Sequence, residues 1–154
     1  MKYLCLINHE EQKLEAMSQA QMAALVRACV AWIEELEKGG HHIYSAGLQT
    51  PATTATIRHD GDSTTVTDGP YVESKEVLGG FVLIEARDLN EAIQLASKFP
   101  DAHLGSVQVR PVLDPDAELS SPLDRKIGTA FRRSAAGISA GAASRLVSIP
   151  QSTR

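Results

Sequence analysis

The sequence predicts an α+β domain in which two helices cover one face of an antiparallel sheet. Two segments, 1–8 and 78–86, are apolar on both sides, as strands in the middle of a covered sheet are. Two others, 42–48 and 105–112, have mixed faces, which is typical of edge strands. A segment with helical spacing of apolar residues follows each doubly apolar segment, so the β-α-β pattern occurs twice.

The first helix is predicted over residues 18–38, after the strand at 1–8. Ser18 and Gln21 match a capping box, in which the hydroxyl and the amide satisfy free N–H groups of the first turn. Gly39 ends the helix. The apolar residues at helical spacing are expected to form its buried stripe: Met22, Leu25, Val26, Cys29, Ile33 and Leu36.

The middle of the chain predicts an edge strand at 42–48 and then a hairpin. Two β-branched runs, 54–58 and 64–67, flank a polar turn at 59–62 that contains glycine. A second turn is predicted at 68–70, where aspartate, glycine and proline follow one another.

The second half repeats the pattern of the first. A strand at 78–86 precedes a helix that Asp88 is expected to cap, with Glu91 three residues on, and a strand at 105–112 follows. The predicted fold is therefore a ferredoxin-like βαββαβ domain with an inserted hairpin. In that topology the first and third main strands are central, which agrees with their two apolar faces.

The sheet face away from the helices predicts a homodimer. Leaving about 400 Å² of apolar surface in water forgoes about 10 kcal/mol at ~25 cal/mol per Å². A second copy stacked sheet on sheet is the simplest cover. The alternative cover is the C-terminal segment, in which Ser121 and Pro122 mark a helix start. We predict a domain over 1–113 and a basic extension over 114–154, partly helical or disordered.

Charge and composition restrict the partners. The net charge is −4; residues 1–116 contain nine Lys and Arg against 17 Asp and Glu, and residues 117–154 contain six against two. An acidic body argues against nucleic-acid binding, because phosphates need a basic surface. No apolar run approaches the ~20 residues of a membrane helix. Two cysteines form no disulfide framework, so a reducing, cytoplasmic setting is expected.

Neither a cofactor nor a metal is expected from the motifs. The pair Gly79-Gly80 lacks the further glycines and the lysine of a nucleotide-binding loop. The histidines and cysteines have no metal-ligand spacing.

Two motifs resemble a known family. Residues 68–76 read DGPYVESKE and residues 78–81 read LGGF. These motifs are similar to the signature of the YciI-like (YCII-related) superfamily, and more narrowly to the branch named for its Asp-Gly-Pro-Phe motif, with Tyr71 in place of the usual Phe. Similar segments keep the family order along the chain, so the resemblance spans about residues 1–113.

The resemblance implies a dimeric α/β barrel of ferredoxin-like subunits, a bacterial origin and, for many members, no established activity. Some relatives act on small aromatic or lactone-type compounds, with a proposed His–Asp pair whose histidine lies on the first helix. Residues 22–38 contain no histidine, so that pair is not carried over. Members of the branch often accompany extracytoplasmic-function sigma factors, which implies a regulatory or accessory role.

Three acidic residues, Asp68, Glu73 and Glu76, are the candidate catalytic groups. They lie within nine residues, at a turn that enters a central strand, and Lys75 adds an ammonium. Carboxylates can transfer protons where a pocket raises the pKa of one of them. The alternative is that Asp68 accepts hydrogen bonds within its own turn and that the other charges are solvated.

Arg58, Arg110 and His42 join Lys75 as candidate ligand-binding residues. Arg110 alternates with Val109, so Arg110 faces the intersubunit cavity if the valines face the helices. A guanidinium there can bind a carboxylate, or it can hold the dimer as an ion pair. His42 either reaches the cavity or lies at the surface.

The predicted function is binding of a small polar or aromatic molecule in a cavity between sheet and hairpin, lined by Asp68, Glu73, Glu76, Arg58 and Arg110. Any chemistry would be cofactor-free acid–base chemistry such as isomerisation, elimination or hydrolysis. The alternative is a non-catalytic regulatory protein that accompanies a sigma factor.

Overall fold

The computed structural model describes residues 1–70, 74–100, 102–116 and 119–136, which belong to two units, Met1–Pro111 and Val112–Arg154. The elements of the first unit are β1 (Lys2–His9), α1 (Glu11–Glu15), α2 (Gln19–Lys38), β2 (His42–Gly47), a 3-10 turn (Pro51–Thr53), β3 (Ala55–Asp60), β4 (Ser63–Asp68), β5 (Val77–Glu85), α3 (Leu89–Ala96) and β6 (Gly105–Pro111). The second unit contains α4 (Pro122–Ala136). Among these described parts of the chain, no helix has the length and apolar character needed to span a membrane.

The main sheet has the strand order β2-β5-β1-β6, with every neighbouring pair antiparallel. The two doubly apolar strands, β1 and β5, are central, so the predicted α+β topology is confirmed. The four strands form an open sheet, and the described part of the chain does not close it into a barrel. The barrel and the dimer stay predictions. The short helix α1 has no counterpart in the sequence-based prediction.

The core lies on the face of the sheet that α2 and α3 cover, which we call the helix-covered face. Cys5 of β1 and Ile84 of β5 are fully buried there. The Trp32 ring of α2 packs edge-on against Phe99, with ring centroids 5.1 Å apart, and its Nε1 donates a hydrogen bond to Leu95 O at 3.1 Å. These contacts join the C-terminal half of α2 to α3 and to the segment that follows it.

The opposite side of the same strands, which we call the open face, contains the alternate residues. Four half-buried apolar side chains from the central strands lie on it: Leu4, Leu6, Phe81 and Leu83. Tyr44 of β2 packs against Phe81, with ring centroids 5.9 Å apart. Arg110 of β6 is in register with Leu4, and Val109 packs against the core, so Arg110 faces away from the helices.

Both predicted helix caps are present. The Gln21 N–H donates to Ser18 Oγ at 3.3 Å, and the Ser18 N–H donates to Gln21 Oε1 at 2.9 Å. The Glu91 N–H donates to Asp88 Oδ1 at 2.9 Å at the start of α3. The prediction that Val26 belongs to the buried stripe of α2 is wrong, because 53% of this residue is exposed.

The inserted hairpin forms its own two-stranded sheet from β3 and β4. Its turn contains Gly61 at φ 59°, a conformation that favours glycine and suits a two-residue hairpin loop. Ile57 and Val66 pair across the strands, and each is 61% exposed. The hairpin is therefore present as predicted, and it contributes little to the core.

The second unit confirms the predicted helix start. The Asp124 N–H donates to Ser121 Oγ at 3.4 Å, and α4 begins at Pro122. The rest of the predicted extension, 137–154, lies outside the described residues.

Candidate functional site

A groove of about 870 Å³ lies between α2 and the helix-covered face of the sheet. One wall is formed by apolar side chains of α2: Met22, Leu25, Val26, Cys29, Val30 and Ile33. Ile7 of β1 and Val82 of β5 line the sheet side. The volume falls in the range of ~300–1,000 Å³ that is typical of small-molecule sites, so the groove is the candidate site.

Glycines in the strands create this space. Gly47 of β2 pairs with Gly80 of β5, so two neighbouring positions on the helix-covered face have no side chain. A Cβ added at Gly47 would meet no atom within 4 Å. Because the sheet offers no side chain here, the first half of α2 has little to pack against, and Val26 and Val30 are each 53% exposed. The incorrect prediction for Val26 has this cause.

His9 lies at one end of the groove, where β1 stops. Its ring lies over Gly79, because a Cβ added at that glycine would overlap the imidazole. Gly79 is the residue that the register of β1 with β5 skips, between the pairs Ile7–Gly80 and Asn8–Leu78. Glycine is thus needed at position 79 to let the imidazole reach the groove.

Three polar side chains meet at the other end of the groove. His42 Nε2 lies 3.0 Å from Ser45 Oγ, and His42 Nδ1 lies 3.5 Å from Glu37 Oε1. Ser45 and Glu37 line the groove, and only 15% of the His42 side chain is exposed. A hydroxyl, an imidazole and a carboxylate in this order can support proton transfer or nucleophilic chemistry.

A break in strand regularity brings His42 and Ser45 to the same side. His42 pairs with Ile84 and Ser45 pairs with Val82, and the register shifts between His42 and Tyr44. Regular alternation would place residues three apart on opposite faces of a strand. The bulge therefore turns both side chains toward α2, and bulges commonly re-aim side chains in this way.

The sequence-predicted residues Arg58 and Asp68 lie on the hairpin. Arg58 pairs with Thr65, and Asp68 pairs with Ala55. Because Ala55 and Arg58 are three residues apart on one regular strand, Arg58 and Asp68 point to opposite faces of the hairpin. Both residues are exposed. The hairpin does not bring these two charges together.

Lys75 joins an ion cluster beyond the end of β1. Its Nζ lies 3.2 Å from Glu10 Oε2, and Lys13 Nζ lies 2.8 Å from Glu10 Oε1. The hydrogen bond from Lys13, with a further one from Lys75, lowers the pKa of the Glu10 carboxyl below its ordinary value. In this structure Lys75 pairs with a carboxylate of its own chain.

Glu76 lies beside the start of β6, where Ser106 Oγ donates to its Oε2 at 2.5 Å. The residue Glu73, the third predicted acid, lies outside the described residues, as does Tyr71 of the motif. Ser106 of β6 thus holds Glu76, and residues 69–75 separate Glu76 from Asp68 along the chain.

Arg110 and His42 lie on opposite faces of the sheet. Arg110 is on the open face, whereas His42 contacts Glu37 of α2 on the helix-covered face. His42 pairs with Ile84, which lies eight residues after Glu76 in the chain. At ~3.3 Å per residue along a strand, Glu76 and Ile84 are about 26 Å apart. The described members of the predicted set therefore lie in four separate places: the hairpin, the end of β1, the open face and the helix-covered face.

Sequence reasoning did not identify His9, Ser45 or Glu37 as site residues. The bulge that unites His42 and Ser45 has no signal in a pattern of alternating residues. The glycines at 47, 79 and 80 were the available signal, because glycine inside a strand often marks a bulge or open space.

Comparison with known proteins identifies the family. The chain matches the YCII-related domain over residues 1–116. An uncharacterized protein of Rhizobium meliloti (strain 1021) is 33% identical to it over 114 residues, which cover 73% of this chain and 92% of the relative. The matched region contains the whole main sheet and the groove, and the narrower Asp-Gly-Pro-Phe branch stays a prediction. The chain belongs to the YCII-related family.

Proposed function

We propose that this protein binds a small, mainly apolar or aromatic molecule in the groove between α2 and the sheet. The observation that carries the proposal is the groove itself, about 870 Å³ with walls of aliphatic side chains. Apolar walls with a few polar groups at defined places are typical of small-molecule sites. The cavity between sheet and hairpin stays a prediction.

The polar groups of the groove lie near its two ends. His9 is at the end of β1, and Ser45 is at the edge strand near the last turn of α2. The wall of α2 runs from Met22 to Glu37, fifteen residues or about 22 Å at ~1.5 Å per residue. A molecule of two linked rings would fit along this wall, with a hydrogen-bonding group toward either end.

Charge favours a neutral molecule over an anion. Among the described residues, the carboxylates that line the groove belong to Glu34 and Glu37, and neither Arg58 nor Arg110 lines it. A carboxylate ligand would meet like charges at this end, which disfavours its binding. The proposed ligand therefore differs from the one that an arginine-lined cavity would take.

Fluorescence titration with N-phenyl-1-naphthylamine, a neutral two-part aromatic probe, tests the proposal. We expect saturable binding with increased probe emission, because the groove would exclude water from the rings. Val26→Trp fills the groove from the wall of α2 and should weaken binding by at least about tenfold. Arg27→Trp is the matched control, since Arg27 is exposed and is not a lining residue.

Two results would overturn the proposal. One is the absence of saturable binding by the folded wild-type chain. The other is an equal loss of binding in Val26→Trp and Arg27→Trp. Acid–base catalysis by Asp68, Glu73 or Glu76 and an accessory role beside a sigma factor stay predictions.

A further inference from the structure

We propose that Ser45, His42 and Glu37 form a nucleophilic site that hydrolyses neutral esters whose apolar acyl group occupies the groove. The inference rests on the proposed binding function and adds a reaction to it. Its basis is the series of contacts from Ser45 Oγ to His42 Nε2 at 3.0 Å and from His42 Nδ1 to Glu37 Oε1 at 3.5 Å. A nucleophile, a base and an orienting carboxylate in series recur on unrelated folds and are recognised by geometry.

The side chains beside the His42 imidazole define the tautomer in which it acts. A proton on His42 Nδ1 faces the Glu37 carboxylate, which leaves Nε2 as the acceptor for the Ser45 hydroxyl. In that state Nε2 can remove the hydroxyl proton as the oxygen attacks. Glu37 acts through His42 by orienting the ring and stabilising the imidazolium, so Glu37 is a positioning residue.

The exposure of the three groups suits these roles. His42 is shielded, with 15% of its side chain exposed, whereas Glu37 is 57% exposed. Ser45 lines the groove, and its pairing with Val82 places its side chain on the groove side of the sheet. The bulge between His42 and Tyr44 is what places the hydroxyl and the imidazole on this side.

The edge of β2 supplies donors for the developing oxyanion. The Leu48 N–H donates to Gly79 O at 2.8 Å, and donors alternate along an antiparallel edge strand. The N–H groups of Ser45 and Gly47 therefore point away from β5, toward the free edge. A Cβ at Gly47 would meet no atom of the described residues within 4 Å, so the helix-covered side of β2 is open two residues from Ser45.

The reaction consumes one ester and one water. Ser45 Oγ bonds to the carbonyl carbon while its proton passes to His42 Nε2; the C–O bond to the alcohol then breaks, and Nε2 protonates the departing oxygen. Water next gives a proton to Nε2 as its oxygen bonds to the acyl carbon. The bond to Oγ breaks, Oγ regains the proton, and a carboxylic acid leaves. Glu34 and Glu37 would favour departure of the acid once it ionises.

Covalent labelling with diisopropyl fluorophosphate, followed by peptide mass mapping, tests the site directly. We expect a phosphoryl adduct on Ser45, together with hydrolysis of p-nitrophenyl butyrate. Ser45→Ala should lose the adduct and lower turnover at least about 100-fold. Ser63→Ala is the matched control, because Ser63 is an exposed strand serine of the hairpin and should leave both readouts unchanged.

Further variants separate chemistry from folding. His42→Gln keeps a group that can hydrogen-bond to Ser45 but cannot take its proton, so labelling should be lost while the urea midpoint is retained. Ser45→Cys should shift the labelling from the fluorophosphate to iodoacetamide. Glu37→Gln should lower kcat about tenfold with KM unchanged, because Glu37 positions the base and does not hold the substrate.

The inference fails if no serine is labelled, if another residue carries the adduct, or if Ser45→Ala keeps its turnover. Saturable binding of N-phenyl-1-naphthylamine without labelling of Ser45 would overturn this inference and leave the proposed function standing. The absence of both binding and labelling would overturn the two together.

Discussion

The two faces of the main sheet differ sharply, although the same four strands build both. On the helix-covered face, Cys5 and Ile84 are completely buried beneath α2 and α3. On the open face, Leu4 and Leu83 are half-buried and lie opposite one another. Alternation along β1 and β5 thus divides equally apolar residues between two environments. An apolar side chain stabilises the fold only to the extent that something covers it.

The helix-covered face also differs along its own length. Near Trp32 and Leu36 the helix packs closely, whereas over Gly47 and Gly80 it leaves the groove. The face that gives the most stability therefore also gives the candidate site. Gly47 and Gly80 have no side chains, and α2 does not fill the space above them. One part of this face is therefore packed core and another part is the groove.

Association is the largest effect expected from the open face. A second copy over it would recover up to about 10 kcal/mol from ~400 Å² of apolar surface. We expect sedimentation equilibrium at micromolar concentration to give twice the chain mass of 16.5 kDa. Leu83→Glu should return the mass to that of one chain, because burying a carboxylate in an apolar interface costs free energy. Gln94→Glu is the control and should not change the mass, because Gln94 is exposed on α3. A single-chain mass for the wild type would contradict the prediction.

The next largest effect is a difference in unfolding free energy between variants of two adjacent residues of β5, whose side chains point to opposite faces of the sheet. Ile84→Ala should lower the free energy of unfolding by about 3 kcal/mol, since the side chain is completely buried. Leu83→Ala should cost about 1 kcal/mol in the single chain, since water already reaches part of it. Urea unfolding at concentrations low enough to keep chains apart measures both. Equal losses would show that the open face is covered within one chain.

The strand order, both helix caps and the alternation of apolar residues along β1 could be predicted because they depend on local patterns. Period-two alternation places Tyr3 and Cys5 together, and Ser18 and Gln21 form a cap whatever surrounds them. The candidate site depends on exceptions to those patterns. A one-residue bulge unites His42 and Ser45, and the residues predicted around the 68–76 motif are distributed by long-range topology. Spacing along the chain does not encode such placements.

The two cysteines provide a chemical comparison on the helix-covered side. Burial raises the pKa of the Cys5 thiol to about 11, whereas Cys29 is half-buried and lines the groove. A shift of about two units lowers the thiolate fraction about 100-fold. In reaction with dithiobis(nitrobenzoate) at pH 8, Cys29 should react faster than Cys5, because Cys5 is fully buried and its thiolate is disfavoured. The remaining thiol of Cys5→Ala should be fast and that of Cys29→Ala slow. Similar rates would mean that the groove does not admit the reagent.

The smallest effect on stability is expected from the ion cluster of Glu10, Lys13 and Lys75, which lies beyond the end of β1. The pKa of Glu10 is lowered by Lys13 and Lys75, so the folded chain binds the proton of this carboxyl less tightly than the unfolded chain does. Its contribution to stability is therefore present at neutral pH, and it is lost as pH falls through the ordinary range of a glutamate and below.

Urea midpoints measured between pH 7 and pH 3 test this. Between pH 7 and pH 3, Glu10→Gln should lose less stability than the wild type. This difference should shrink in 0.5 M salt, because both lysines are partly or largely exposed. Lys38→Gln is the control, since its partner Glu34 lies 3.8 Å away in an exposed pair on α2. If the urea midpoints of Glu10→Gln and the wild type changed with pH in the same way, the ion pairs of Glu10 with Lys13 and Lys75 would not stabilise the fold.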